Sequence, residues 1–290
     1  LHEHARFTLD TPPSEHFATY VYGCVRELAT RTDVPPLRFS IHSEVPMGVG
    51  LSSSAALEVA TLRALRTLLE VALDDVSLAL MAQRAENRYA GVQCGVLDQM
   101  ASSLGAPGSM LFLDTRTFQR RVLPLPADAE VLIVHSGVTR SLAESGYNAR
   151  RAECIEAARR LGVAALRDVG DMAAADALPA PLDRRARHVI TENARVLAAL
   201  DAPDAAAFGA LMNASHRSLA EQYEVSTPAL DTLVALLQAD ADVYGAKLTG
   251  AGFGGACVAL CRAGTARRVA AHVLPAYSSR SGRDGRMLVP

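Results

Sequence analysis

The chain has no tryptophan, and Phe and Tyr together bring its aromatic content to only 5%. Lysine is nearly absent too, with Lys247 alone among 29 basic residues, which reads as a coding preference for arginine. The formal net charge is −2 and no basic run occurs, so the chain lacks the positive, aromatic-interleaved surface that would bind nucleic acid or an anionic membrane as its main partner. No apolar run approaches the roughly 20 residues that span a bilayer. Residues 1–30 also lack the basic, apolar, then small-residue order of a secretory signal, so the cytoplasm is the expected compartment. The five cysteines (Cys24, Cys94, Cys154, Cys257, Cys261) are odd in number and form no C-x-x-C pair. Neither a disulfide framework nor a zinc knuckle is indicated, and they are read as free thiols. What remains is a globular chain of 290 residues, enough for one large domain or two ordinary ones, with a small ligand as the expected partner.

The densest information lies in Pro46-Met47-Gly48-Val49-Gly50-Leu51-Ser52-Ser53-Ser54-Ala55-Ala56. Two glycines would let the backbone approach an anion, and the first turn of the helix that follows has N–H groups without intrahelical partners, facing the same anion at the positive end of the helix dipole. Ala55, Leu57, Val59, Ala60, Leu62, Ala64, Leu65, Leu68 and Leu69 supply that helix with a broad apolar face. The same letters also suit a plain serine-capped helix after a glycine turn. There is no Gly-Lys-Ser/Thr ending, so the loop is not a Walker A phosphate loop.

Around this loop the periodicity predicts a helix over 14–31 capped by Ser14 and a half-buried strand over Leu37–Val45. A helix opened by Asp74-Asp75 runs to about Tyr89, followed by a short helix over 96–104, a turn at 105–108 and a strand at 109–113. Beyond a boundary placed near residue 118 come a strand at 131–134, helices near 144–161, 183–200, 203–220 and 227–239, and two short strands between Tyr244 and Leu260. Residues 163–182 are Ala-rich and weakly patterned and are expected to be a surface excursion. The expected domains are 1–118, nucleotide-binding, and 119–290.

Glu86 sits late in the second of these helices and Asp98 at the start of the next, with Ala90-Gly91-Val92-Gln93-Cys94-Gly95 as a bend between them. One carboxylate can hold Mg²⁺, complemented by Ser54, while the other accepts a proton, because Mg²⁺ takes hard oxygen ligands and few of them from protein. Each also has an ordinary alternative: Glu86 as a solvated residue between Arg84 and Arg88, Asp98 as an acid favoured by a helix N-terminus. A further cluster, Lys247-Leu-Thr-Gly250-Ala-Gly252-Phe-Gly254-Gly255, has more glycine than a turn requires and would let the backbone approach another loop or a ligand.

Together these blocks resemble the galactokinase branch of the GHMP kinases, which phosphorylate galactose, homoserine, mevalonate and phosphomevalonate. The block from Pro46 to Ala56 looks like that family's second motif and Leu248–Gly255 like its third. Glu86 with Ala90–Gln99 is similar to the segment supplying a magnesium ligand and the catalytic aspartate. Ser141-Leu142 with Tyr147–Arg151, and Ser215–Leu219 with Tyr223–Ser226, are again galactokinase-like.

The resemblance implies a two-domain α+β fold, with an N-terminal domain like domain 2 of ribosomal protein S5 and a ferredoxin-like C-terminal domain. It implies ATP-dependent phosphorylation of a monosaccharide's anomeric hydroxyl, most directly galactose to galactose 1-phosphate. Backbone amides of Gly48, Val49, Gly50, Leu51, Ser52, Ser53 and Ser54 would hold ATP, Ser54 and Glu86 the Mg²⁺, and Asp98 would be the base, with Gly95, Asp98 and Tyr147 on the sugar. Arabinose or another pyranose as substrate, and a catalytically silent sugar and ATP sensor, are the alternatives; a homoserine or mevalonate kinase is disfavoured by the Cys94–Gln99 block. The family's opening G-R-x-N-L-x-G-E-H-x-D segment has no counterpart, since Glu3-His4 copies two letters and Ala5-Arg6-Phe7 follows. The expectation is that the natural start or part of the sugar pocket is missing.

Overall fold

A computed structural model describes residues 3–139 and 146–289. Ser141 and Leu142 lie outside the described residues. The chain forms two compact units: one runs to Met47 and from Ser52 to Leu125, the other takes Gly48–Leu51 and everything from Pro126 onward.

In the first unit, α1 (His16–Leu28), α2 (Ser53–Leu68) and α3 (Asp75–Ala85) pack Cys24, Val25, Leu28, Val59, Leu62, Leu65, Leu78 and Met81 into one core. Asp74 caps α3 by accepting from the amides of Val76 and Ser77, both at 2.9 Å. Ser14 is not the cap of α1; Glu15 occupies that position and makes no side-chain cap bond. The α3 helix runs on into a π-helical turn, Glu86–Ala90, ended by Gly91 at φ +74°, and α4 (Leu97–Leu104) follows. An antiparallel hairpin, β1 (Ser109–Leu113) and β2 (Arg120–Pro124), completes the unit. The boundary anticipated at residue 118 falls in the turn of this hairpin: Leu113 pairs with Arg120, so β2 stays with the first unit, and the units part between Leu125 and Pro126.

The strand expected over Leu37–Val45 does not form. Leu37 and Phe39 do turn inward against the core, as alternation requires, but no strand lies beside them among the described residues. The buried stripe of α2 is also narrower than its composition suggested. Ala60, Ala64 and Leu68 face outward, while Ala55, Glu58, Val59, Leu62 and Leu65 face inward, placing a glutamate in the middle of the stripe.

The second unit holds a four-stranded antiparallel sheet in the order β4 (Val243–Leu248), β5 (Ala256–Arg262), β3 (Ala129–His135), β6 (Arg286–Val289). With its helical crossovers between β3 and β4 and between β5 and β6, this is the ferredoxin-like split βαβ arrangement. The first crossover carries α5 (Tyr147–Arg160), α6 (Met172–Asp176), α7 (Leu182–Ala199), α8 (Ala205–Glu221) and α9 (Pro228–Gln238); the second is α10 (Ala266–Ser281). Leu132, Val134, Leu230, Leu233, Leu237, Val269 and Val273 fill the space between sheet and helices. Residues 163–182 are more than a surface excursion: Leu166, Ala175 and Leu182 are buried with Ala157 and Ala186 in a small core of their own, and short alanines let those segments approach closely enough to form it.

Helix α8 crosses β4 at two glycines, where a Cβ at Gly209 would run into the Tyr244 carbonyl and one at Gly245 into the Gly209 carbonyl. Gly209→Ala is therefore expected to force helix and strand apart and cost about 1–3 kcal/mol of stability, the usual cost of overpacking. Urea unfolding measures it, and an unchanged midpoint would mean that the crossing has slack.

Candidate active site

In the first unit, α2 contributes Ser54 and Glu58, the π-helical turn Glu86, and α4 Asp98 and Gln99. Arg84 and Arg88 both turn to the buried Glu27, each at 2.8 Å, so they leave Glu86 unpaired by arginine. Glu86 points inward and is only 3% exposed. The Ser54 hydroxyl lies near its carboxylate. Its Oε2 accepts from Gln99 Nε2 at 2.6 Å and from Cys94 Sγ at 3.3 Å. Burial, the largest cause, holds the Glu86 carboxyl above the usual carboxylate range, the charge of Asp98 adds to the rise, and the neighbouring Ser54, Cys94 and Gln99 side chains pull the other way.

Glu58 is fully buried beside this group, with Oε2 at 3.3 Å from the same Gln99 Nε2 and Oε1 without a hydrogen-bond partner. Burial first, and then repulsion from Glu86, push its carboxyl up to about 9. An ionised carboxylate with a buried, unpartnered oxygen is costly, whereas Glu86 has two hydrogen-bond donors to support its charge. Both carboxyls are raised, and Glu58 is the one that keeps its proton to higher pH. Tyr20 faces the same carboxylates, and burial together with their charge pushes its phenol up to about 12. Cys94, also pushed up to about 12 by burial and by Glu86, stays a neutral donor.

Asp98 differs from both. It is exposed in the first turn of α4, next in sequence to the fully buried Gln99. The bend that leads to it is anchored by the Asn87 side chain accepting from the Cys94 amide at 3.0 Å and by Gln83 Nε2 donating to the Cys94 carbonyl at 3.1 Å. Gly95 in that bend is exposed, with open space where a side chain would stand. No group of three or more His, Cys, Asp or Glu side chains able to hold a metal gathers among the described residues. A hydroxyl near a carboxylate suits Mg²⁺ nonetheless, since that ion keeps several waters and completes its shell with substrate phosphates.

In the glycine loop, φ is positive at Gly48 (+72°), Gly50 (+87°) and Ser52 (+55°) but not at Val49 or Leu51. Positive φ at three of five successive positions makes this loop a tight irregular turn directly ahead of α2 in the chain, and at Gly48 and Gly50 it is glycine that permits it. The Val49 side chain is buried and anchors the loop. Ser52, the N-cap residue of α2, makes no side-chain cap bond. Tyr147 opens α5 and is half-buried.

The later glycine cluster connects β4 to β5 and approaches neighbouring segments of its own unit. Phe253 N donates to the Val225 carbonyl at 2.7 Å and Gly255 N to the Val138 carbonyl at 2.8 Å, while a Cβ at Gly252 would strike Val225. His216 Nδ1 accepts from the Leu248 amide at 3.3 Å, so both 215–226 blocks brace this connection. Lys247 pairs with Glu192 at 3.4 Å.

Within the first unit the structure thus brings together Ser54, Glu86 and Asp98. Glu58, Gln99, Cys94 and Tyr20 complete that group and were not anticipated. Position was the available signal for Glu58, which lies one helical turn after Ser54 within the buried stripe.

The family model described as "GHMP kinases N terminal domain" matches residues 19–106, and "GHMP kinases C terminal" matches 196–278. A galactokinase from Roseiflexus sp. (strain RS-1) is 43% identical, covering all of this chain and 78% of the relative. The Lactococcus lactis galactokinase structure, complexed with galactose, superposes with a TM-score of 0.84 at 32% identity, over 93% of this chain and 73% of that one. Methanococcus jannaschii mevalonate kinase, at 18% identity and a TM-score of 0.63 over 97% of this chain and 78% of that one, shares the fold. The two-domain α+β architecture implied by the resemblance is the one found.

Glu58→Gln tests where the proton lies. Between the ordinary glutamate range and about pH 9 the folded protein holds a proton on Glu58 that the unfolded chain releases, so wild-type stability falls as pH rises through that window. The amide cannot ionise. The melting temperature of Glu58→Gln is expected to gain on wild type steadily from pH 5 to pH 9, and a constant difference would show that Glu58 titrates normally.

Proposed function

This chain belongs to the GHMP kinase family, and from that premise we propose that it transfers the γ-phosphoryl group of ATP to the anomeric hydroxyl of galactose, giving galactose 1-phosphate and ADP. The observation that carries the reading is a pair of neighbouring carboxylates in unlike surroundings: Glu86 buried and held by two donors, Asp98 open to solvent on the first turn of α4. Such a division separates a charge-holding role from a proton-accepting one.

Phosphoryl transfer asks mainly for positioning and for neutralising negative charge. Amides of Gly48 to Ser54 cradle the phosphates. Ser54 and Glu86 would hold Mg²⁺, which would offset charge on the phosphates. Asp98 takes the proton from the sugar's O1; O1 forms the new bond to the γ-phosphorus as the bond to the β–γ bridging oxygen breaks, and ADP leaves with that electron pair. Tyr147 and the Gly95 backbone orient the sugar, the open space at Gly95 leaving its main chain accessible. No helix among the described residues is long and apolar enough to cross a membrane. With ATP as donor, we place the reaction in the cytoplasm.

Asp98→Asn keeps size and polarity but removes the proton acceptor. In the full-length protein it is expected to bind ATP normally and to lose about 10²–10⁴-fold in turnover with galactose. Near-normal turnover in a steady-state assay would remove Asp98 from the role of base.

A further inference from the structure

Gln99 stands where a core hydrophobe would serve packing equally well: it is fully buried on α4, and its neighbours on that face are Met100 and Ser103. Its single Nε2 group lies within hydrogen-bond reach of two carboxylates from two other elements, Glu86 Oε2 at 2.6 Å and Glu58 Oε2 at 3.3 Å. The amide oxygen Oε1 has no partner. The nitrogen side is thus drawn to the two carboxylates, and this fixes which way the amide faces.

The chemistry of that donor is selective. An arginine or lysine here would also hold Glu86, but it would cancel its charge and compete with a cation for it. An acid would add a third negative group. An amide grips the carboxylate and leaves its charge available. Gln99 and Cys94 both donate to Oε2, so neither takes up Oε1. We propose that Gln99 is a positioning residue: steered by Glu58, its amide fixes the Glu86 carboxylate in the orientation that presents the other oxygen, with Ser54, to the divalent cation. Because Gln99 follows Asp98 directly on α4, the same bond ties the helix carrying the base to the residue holding the cation. The inference rests on the proposed role of Glu86 as a cation ligand.

The test is direct binding of Mn²⁺ to the full-length protein in its ADP complex, read by electron paramagnetic resonance, with metal-free ADP affinity measured in parallel by calorimetry. Gln99→Met keeps side-chain length and removes the donor. It is expected to weaken Mn²⁺ binding by about 10–100-fold, the usual loss when the partner orienting a metal ligand is removed, while metal-free ADP affinity stays unchanged. A merely structural role would move both affinities or neither. Gln99→Met that folds normally by thermal melting and binds Mn²⁺ like wild type overturns the proposal. Should that variant fail to fold, Glu58→Met is read instead: a weaker shift in the same direction supports the steering, and unchanged Mn²⁺ affinity overturns it. Glu86→Gln in the same assay separates the two levels. If it leaves Mn²⁺ binding intact, the cation role of Glu86 fails; if it weakens binding while the Gln99 and Glu58 variants do not, only the positioning role fails.

Discussion

Two carboxylates buried side by side cannot both keep a charge unless donors support each of them, and the arrangement of the first unit follows from how Glu58 and Glu86 meet that constraint. One amide, Gln99 Nε2, lies between them. The remaining donor, Cys94, goes to Glu86, with Ser54 nearby, and burial raises Glu58 the further of the two. To deliver these groups, α2 spends a core position on a glutamate and the end of α3 widens into a π-helical turn. The bend before α4 is pinned by Asn87 and Gln83 so that Cys94 and Gln99 arrive on the same side. A π-helical turn inside or at the end of an α-helix commonly marks such a site.

The second unit meets a different requirement, holding irregular backbone in place without regular pairing. Val225, Val138 and Ser136 clamp the connection between β4 and β5 through its amides and carbonyls. The 222–226 segment is itself held by Arg185, which is almost fully buried and donates to Glu153 and Glu224 at 2.6 Å each and to the Gln222 carbonyl. A guanidinium so placed has each of its three nitrogens donating to an acceptor, which offsets the cost of removing it from water.

How much of this was legible in the sequence depends on how local the determinants are. Helices α1, α3, α4, α5 and α7 to α9 and the strands around the glycine cluster are written in 3.6- or 2-residue periodicity and in caps such as Asp74. Ser54, Glu86 and Asp98 were legible as a group because the bend between them is short and resembles a known segment. Leu37–Val45 has the alternation of a strand, but a strand also needs a neighbour, and alternation carries no information about one. Glu58 was hidden because a charged residue in an apolar stripe is ordinarily discounted as facing water. Nothing nearby in sequence signals that Arg84 and Arg88 are drawn off by Glu27, which lies on another helix. The 163–182 segment read as a surface excursion because alanine carries little pattern, yet its small side chains are what allow its close packing.

The most direct test of the central claim is the identity of the phosphorylated atom. The full-length protein, incubated with galactose, Mg²⁺ and ATP and followed by phosphorus and proton magnetic resonance, is predicted to yield a new phosphate ester whose phosphorus couples to the sugar's anomeric proton as ADP accumulates. Phosphate appearing on another hydroxyl, or mevalonate or homoserine consumed in preference to galactose, would contradict the account.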